Sequence, residues 1–267
     1  MESSTKKSSK ITLPVLLGAI AGVVLLSDAA GESYAALATD LIGFAITAPL
    51  VALSVILAIK NGTGGNFGKA WICFAAFAGL WFTADTLWTV YEMVYHIDPF
   101  PSPADFFWLA GYPVYFGFAM FYLRPFRGSI SRKAVLAGMA ASVALLGILA
   151  YVMSFESLTV TFDDMLATAY PVADAIILAP TVIGLGLFFR GQVSFLWSLL
   201  LFGMICSIAG DIGFQIVSQS DQYYNGHPVD IPYLWAYVFF AFGIYYHLKI
   251  FRSRSQENRF NNQENLR

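Results

Sequence analysis

The chain has 267 residues, of which 58 % are hydrophobic and only 12 % are charged. Soluble domains average about 45–50 % and roughly 25 % in these classes, so the composition excludes an ordinary soluble domain and favours an integral membrane protein. The formal net charge of -2 and the lack of nucleotide or nucleic-acid motifs give no reason to expect a nucleic-acid partner. Cys73 and Cys206 lie in apolar segments, so they predict neither a disulfide nor a zinc framework.

Apolar segments follow one another along most of the chain. Their lengths suit the apolar layer of a bilayer, which is about 30 Å thick, and the period-two alternation of a membrane barrel does not occur. We therefore predict an all-α fold, an integral membrane bundle of eight transmembrane helices within one domain, 1–267, with the lipid bilayer as its surroundings. The predicted spans are about 11–28, 38–59, 70–94, 105–123, 134–153, 165–189, 193–217 and 231–250.

The positions of Lys and Arg predict the orientation. All 15 fall on one side of this topology: in the N-terminal tail, after spans 2, 4 and 6, and after span 8. The positive-inside rule then places both termini in the cytoplasm, with the chain in the cell membrane. The segment Arg124–Lys133 or the tail would meet a cytoplasmic signalling partner or anionic lipid. An alternative interpretation of the first span is a cleaved signal peptide, which would leave seven spans.

The two halves of the chain share a pattern of polar residues. Asp85 in span 3 precedes Asp105 at the start of span 4 by 20 residues, and Asp211 in span 7 precedes Asp230 by 19. Aromatic residues follow three and seven positions after the second aspartate of each pair, namely Trp108 and Tyr112, and Tyr233 and Tyr237. This pattern predicts two parallel four-helix repeats, about 11–133 and 134–252, and a polar cytoplasmic tail, 253–267.

Six aspartates fall in the predicted outer parts of the spans: Asp40, Asp85, Asp105, Asp174, Asp211 and Asp230. A carboxylate facing lipid costs a few kcal/mol, so we expect these side chains to face the bundle interior or water. Asp105 and Asp230 follow a proline and fit helix caps, and Asp40 and Asp174 are either caps or interior groups. Asp85 and Asp211 lie well inside their spans and indicate an internal polar site, with interhelical bonding as the alternative.

The predicted ligand-binding set joins these aspartates to nearby tyrosines. Tyr112 and Tyr237 lie seven residues after an aspartate, where their hydroxyls are able to donate to a carboxylate. The set is Asp85, Asp105, Tyr112, Tyr170, Asp174, Asp211, Asp230 and Tyr237. His96 and His227 lie in matching outer loops beside carboxylates, which leaves a divalent-metal site or two solvated histidines as alternatives. The sequence assigns no metal and no cofactor.

Three segments resemble a known family of membrane regions. PSPADFFWLAGYP, AYPVADAIIL and GDIGFQIVSQSDQYYNGHPVDIPYLWAY resemble the polytopic N-terminal membrane regions that precede GGDEF diguanylate cyclase domains in bacterial signalling proteins. The resemblance covers about residues 70–250 and implies a membrane sensory or ligand-binding module. No GGDEF sequence occurs in the chain, so the resemblance does not imply cyclase activity, and we expect the module to act alone or through a partner.

These observations leave several functions open. The first hypothesis is a ligand-responsive sensory or binding module with an outward-facing acidic pocket for a small ligand or cation. The alternative is a secondary transporter, coupled to a cation or to protons through the intramembrane aspartates, although the cytoplasmic halves of the spans offer few polar groups. A membrane enzyme that uses the outer carboxylates comes third, and a scaffold whose aspartates only hold helices together comes last.

Overall fold

The computed structural model describes the backbone of residues 2–97, 100–153, 161–191, 193–218, 220 and 222–264. Within these ranges it describes the side chains from Thr12 to Lys249, apart from that of residue 153. All regular structure in these ranges is helical. The helices are α1 (Glu2–Ala30), α2 (Glu32–Asn61), α3 (Gly65–Met93), α4 (Pro103–Leu123), α5 (Arg132–Met153), α6 (Phe162–Phe188), α7 (Ser194–Ser218) and α8 (Ile231–Glu264). Short 3-10 turns follow α4 at Arg124–Ser129 and precede α8 at Pro228–Asp230.

The predicted all-helical fold is confirmed. Over the described residues, eight helices are long and apolar enough to cross a membrane. Each overlaps one predicted span, and most begin a few residues earlier than predicted. The largest difference is at the end of the chain, where α8 continues to Glu264 although the apolar span was predicted to end near residue 250.

Six of the helices form a closed ring. α2 contacts α3, α3 contacts α4, α4 contacts α6, α6 contacts α7, α7 contacts α8, and α8 returns to α2. The remaining two lie outside the ring, with α1 against α2 and α8 and with α5 against α6. The contacts between the two halves of the chain are therefore made chiefly by α4 with α6 and by α8 with α2.

Short connections make consecutive helices antiparallel, which gives the bundle two chemically different ends. We call the end with the C-termini of α1, α3, α5 and α7 the acidic end, and the opposite end the basic end. The described Lys and Arg side chains all lie at or near the basic end: Lys60, Lys69, Arg124, Arg127, Arg132, Lys133, Arg190 and Lys249. The carboxylates of the six aspartates are thus separated from every described cationic side chain by most of the length of a helix.

The basic half of the ring is filled by aromatic side chains, which we call the aromatic plug. Phe77 packs between Tyr115, with ring centroids 5.1 Å apart, and Phe240, at 5.8 Å. The plug consists of Trp71, Phe74, Phe77, Tyr115, Phe118, Trp197 and Phe240, which are all at most 1 % exposed. A hydroxyl contact of 3.2 Å joins Tyr115 to Thr181. Dense apolar packing of this kind leaves no room for a water-filled path.

Candidate functional site

A cavity of about 170 Å³ lies inside the ring towards the acidic end. Its wall takes residues from all six ring helices and from the loops before α4 and α8. Trp81 forms part of the floor, because its ring packs against Tyr112 and Tyr237 on the cavity side and against Phe77 of the plug. The cavity therefore ends where the aromatic plug begins.

Asp85 of α3 accepts two hydrogen bonds in the cavity wall. Trp108 of α4 donates its indole N–H at 3.1 Å, and Tyr237 of α8 donates its hydroxyl at 2.8 Å, both to Oδ1. Oδ2 has no hydrogen-bond partner. The side chain is half-buried because it faces the cavity from deep inside the bundle, and not because it reaches the protein surface.

Asp211 of α7 accepts two hydrogen bonds of the same kind. Tyr233 of α8 donates to Oδ1 at 2.7 Å, and Tyr112 of α4 donates to Oδ2 at 3.2 Å. Both donors are phenols, whereas Asp85 has one phenol and one indole. Each of these carboxylates is therefore held by two aromatic donors, one from α4 and one from α8.

The donors to Asp85 and Asp211 follow one rule. Asp85 accepts from Trp108, which lies three positions after Asp105 in the same half. Asp211 accepts from Tyr233, which lies three positions after Asp230 in the same half. Asp85 also accepts from Tyr237, seven positions after Asp230 in the other half. Asp211 also accepts from Tyr112, seven positions after Asp105 in the other half. The two halves of the chain are thus joined by a crossed pair of tyrosine–aspartate hydrogen bonds.

Asp105 is both a helix cap and a member of the cavity wall. Ser102 begins α4, and the two residues form a capping box in which Asp105 Oδ2 accepts the Ser102 N–H at 2.7 Å. Oδ1 accepts the Tyr170 hydroxyl of α6 at 2.6 Å. Asp105 therefore satisfies the start of α4 and also links α4 to α6 in the other half.

Asp230 ends the 3-10 turn before α8 and folds back on the preceding loop. Its Oδ2 accepts the Gly226 N–H at 2.8 Å, and its Oδ1 accepts the Tyr223 hydroxyl at 3.2 Å. Burial, and then the nearby Asp230, raise the pKa of Tyr223 well above its ordinary value. Asp230 is therefore not the N-cap that the sequence predicted: His227 is the N-cap of the 3-10 turn that leads into α8, and Asp230 accepts from the loop before it.

The loop residues Tyr224 to Gly226 close part of the acidic end of the cavity. Asn225 donates its amide to Asp40 Oδ1 at 3.1 Å and to Glu92 at 2.5 Å. Tyr224 donates to Asp28 of α1, and this bond raises the pKa of Tyr224 to about 12. Gly226 has a φ of 87°, and a Cβ there would lie 2.3 Å from the Ala35 backbone, so only glycine allows this close approach.

The capping alternative is also wrong for Asp40 and Asp174. α2 begins at Glu32 and α6 at Phe162, where Thr161 and Asp164 form the capping box, so both aspartates lie inside their helices. Asp40 lies close enough to Asp85 for an electrostatic interaction. Asp174 is fully buried behind the cavity wall beside Asp211 and Tyr112, although neither of its oxygens makes a hydrogen bond of ordinary geometry.

Several buried polar atoms of the site lack hydrogen-bond partners. They are Oγ1 of Thr39, Oδ2 of Asp40, Oδ2 of Asp85, both carboxyl oxygens of Asp174 and Oγ of Ser207. Thr39 is 8 % and Ser207 1 % exposed, and both line the cavity. Buried polar atoms are rarely left unpaired in folded proteins, so the atoms of Thr39, Asp40, Asp85 and Ser207, which line the cavity, indicate that it is suited to a polar or charged guest.

The histidines do not form a metal site in the described part of the chain. His227 uses Nδ1 to accept the Val229 N–H at 3.1 Å. No group of three His, Cys, Asp or Glu side chains among the described residues is arranged to hold a metal ion. Asp98 and Asp221, which the sequence places beside the two outer histidines, lie outside the described residues.

The structure brings the predicted site residues together. Asp85, Asp105, Tyr112, Tyr170, Asp211, Asp230 and Tyr237 line one cavity, and Asp174 lies directly behind its wall. The sequence-based set omitted Trp81, Tyr223, Asn225 and Tyr233, which also line the cavity. Trp81 was detectable, since it lies one helical turn before Asp85 on the same face, whereas no local signal distinguishes Asn225 from an ordinary turn residue.

Comparisons with known proteins found no relative: no family model, no curated protein and no solved structure matches this chain.

Substitution of Gly210 tests how tightly the site is packed. A Cβ at Gly210 would lie 2.6 Å from the Tyr233 ring, so we expect Gly210→Ala to displace Tyr233 from Asp211 and to destabilise the protein by about 1–3 kcal/mol. Thermal unfolding of the purified protein measures this. Gly79→Ala is the matched control, because nothing lies within 4 Å of a Cβ there; equal stability of the two variants contradicts the prediction.

Proposed function

We propose that the protein is a multi-pass membrane sensory or binding module, which takes a small ligand into the acidic cavity from the acidic end. The observation that carries this proposal is the combination of a cavity with five aspartates in its wall, Asp40, Asp85, Asp105, Asp211 and Asp230, and a solid aromatic floor. A binding module needs a closed-ended pocket, and a carrier needs a second route to the other side.

The aromatic plug supports binding over transport. Between the floor residue Trp81 and the basic end, the ring is filled by side chains such as Phe77, Phe118 and Trp197, all at most 1 % exposed. Opening a route through the plug would require several fully packed aromatic side chains to move together. The crossed hydrogen bonds of Tyr112 and Tyr237 also hold the two halves together at the level of the site.

The repeat and the orientation are part of the proposal. The ring order makes α6, α7 and α8 the counterparts of α2, α3 and α4. The hydrogen bonds that Asp85 and Asp211 accept match under the same correspondence, and both observations support two parallel repeats. The basic end is proposed to face the cytoplasm, as the positive-inside rule predicts, with the cavity opening outwards. The sensory part of the proposal rests on the resemblance to membrane regions of GGDEF proteins, and Arg124 and Arg127, exposed at the basic end, are candidate contacts for a signalling partner.

Cysteine accessibility tests this proposal. In a background with Cys73→Ala and Cys206→Ala, Thr89→Cys places a thiol in the cavity wall. We expect a membrane-impermeant, cationic methanethiosulfonate reagent to label Thr89→Cys in intact cells and not in inside-out vesicles. A carrier with alternating access predicts labelling in both preparations.

Two exposed control positions define the sides. Glu32→Cys reports the acidic end and Thr63→Cys reports the basic end, since both residues are exposed. Labelling of Thr89→Cys together with Thr63→Cys in inside-out vesicles contradicts the proposal. Labelling of Glu32→Cys only in inside-out vesicles contradicts the proposed orientation and leaves the closed-ended cavity in place.

A further inference from the structure

We propose that the cavity binds a small primary amine with an aromatic body, a phenylalkylamine, whose single ammonium group lies at Thr39, Asp40 and Asp85. This inference rests on the proposed function and names the ligand class of the same site. It follows from the distribution of unused hydrogen-bond acceptors in the wall, from the relative positions of α2 and α3, and from the aromatic surface beside them.

The open acceptors of the wall carboxylates are confined to two helices. Three of the five wall aspartates use both carboxyl oxygens within the protein, namely Asp105, Asp211 and Asp230. Asp40 of α2 and Asp85 of α3 accept hydrogen bonds at Oδ1 only. Their Oδ2 atoms are buried and make no hydrogen bond of ordinary geometry, so α2 and α3 carry the carboxylate oxygens that remain for a ligand.

A contact between two rings fixes the position of Asp40 relative to Asp85. Phe44 of α2 and Phe82 of α3 meet edge-on, with ring centroids 5.9 Å apart. Asp40 lies one helical turn from Phe44 and Asp85 lies one turn from Phe82, in both cases towards the acidic end. Because α2 and α3 are antiparallel neighbours, the two carboxylates lie at the same level of the cavity, which both line.

Thr39 supplies a third open acceptor at this level. It precedes Asp40 in α2, lines the cavity and is 8 % exposed, and its buried hydroxyl has no hydrogen-bond partner. We call Thr39, Asp40 and Asp85 the α2–α3 corner. An ammonium group offers three donors and no acceptor, which matches one open oxygen on each of these residues. The Thr89 hydroxyl, which lies beside the Asp40 carboxylate, is a further polar group at this corner.

The chemistry of the corner selects among cations. None of the described wall residues is Lys or Arg, so the wall itself brings no cationic side chain to the open oxygens. A quaternary ammonium group has the same charge as a primary one but no N–H, and it would leave the buried acceptors unpaired at a free-energy cost. A primary ammonium group satisfies both the charge and the hydrogen bonds.

The wall beside the corner is aromatic. Phe44 lies one turn from Asp40 and Trp88 one turn from Asp85, and both line the cavity. The Trp88 ring lies 5.5 Å from that of Trp108. The cavity volume of about 170 Å³ exceeds that of an apolar cavity of about 150 Å³ that holds one benzene molecule. The space therefore suits one aromatic ring on a short chain, and aromatic faces also attract ammonium groups.

Calorimetric titration of the full-length protein in lipid nanodiscs tests the inference. The probe is phenethylamine, and its three matched controls are the trimethylated phenethylammonium ion, phenethyl alcohol and ethylamine. They remove the N–H donors, the charge and the ring respectively. We expect phenethylamine to bind at least about tenfold more tightly than each control. Empty nanodiscs give the contribution of the lipid, and the comparison uses the unmodified protein, so it does not depend on the folding of any variant.

Two variants then assign the ammonium position. Asp85→Asn is expected to weaken phenethylamine binding about tenfold, with Asp163→Asn, at an exposed aspartate of α6, as its control. Thr39→Val removes a hydroxyl that has no partner within the protein, so we expect it to fold and to weaken phenethylamine binding but not binding of the trimethylated ion. Thr47→Val is the control on the same helix, because the Thr47 hydroxyl donates to the Gly43 carbonyl.

The outcomes separate this inference from the proposed function. If the trimethylated ion, the alcohol or ethylamine binds as tightly as phenethylamine, the assigned ligand class is wrong. Unchanged phenethylamine affinity in both Asp85→Asn and Thr39→Val overturns the assigned position. If cysteine labelling still occurs only from the acidic end, the binding module stands and its ligand belongs to another class. Labelling from the basic end overturns the proposed function itself, whatever the titrations give.

Discussion

Trp197→Ala is expected to lower the free energy of unfolding by about 3–5 kcal/mol, the usual loss for truncating a large buried aromatic side chain. Trp197 is fully buried in the aromatic plug. Its ring stacks with Phe118 and Phe188 at centroid distances of 6.0 and 5.9 Å and meets Tyr122 edge-on at 5.5 Å. Phe118, Tyr122 and Phe188 each pack against a further ring, so we expect these side chains to stay in place and to leave a cavity.

The packing around Trp197 also predicts a milder variant. Its indole N–H has no hydrogen-bond partner, so Trp197→Phe loses ring volume without leaving a partner unsatisfied and is expected to cost clearly less than Trp197→Ala. Chemical denaturation in detergent measures both, and Phe189→Ala is the control because Phe189 is 68 % exposed. Equal losses for Trp197→Ala and Phe189→Ala contradict the assignment of the plug as the packed core.

The helices were predictable because their signal is local. A run of about 20 apolar residues indicates a span wherever it occurs, and Ser102 with Asp105 is a capping box that can be read directly from the sequence. The starts of α2 and α6 were predicted too late, since the residues from Glu32 and Phe162 onward are less apolar although they are helical. The late start of span 2 allowed Asp40 to be considered as a cap, and Pro171, which suits a first helical turn, did the same for Asp174, although both aspartates are interior residues.

The partners of the site residues were not predictable, because they depend on contacts between the two halves. The spacing of Tyr112 predicted that its hydroxyl is able to donate to a carboxylate but did not say which one, and the structure shows that it is Asp211 in α7. Tyr237 likewise reaches Asp85 in α3. The high cost of a carboxylate in lipid predicted that Asp85 and Asp211 face inwards, but only the order of the helices in the ring decides which donors meet them.

Asp174→Asn is expected to raise the free energy of unfolding by about 1–3 kcal/mol, the scale on which an uncompensated buried polar group destabilises a protein. Asp174 is fully buried beside Asp211 and Tyr112, and neither carboxyl oxygen makes a hydrogen bond of ordinary geometry. Asparagine has nearly the same shape, carries no charge and offers an amide that can donate to Asp211. Thermal unfolding at neutral pH measures the gain.

Asp105→Asn is the contrasting variant and is expected to destabilise by about 1–3 kcal/mol. Asp105 uses one oxygen for the Ser102 N–H and the other for the Tyr170 hydroxyl, and an asparagine keeps only one acceptor oxygen. The same change from aspartate to asparagine is therefore expected to raise the free energy of unfolding at Asp174 and to lower it at Asp105. A loss of more than about 1 kcal/mol in Asp174→Asn would mean that the folded protein already compensates this carboxyl.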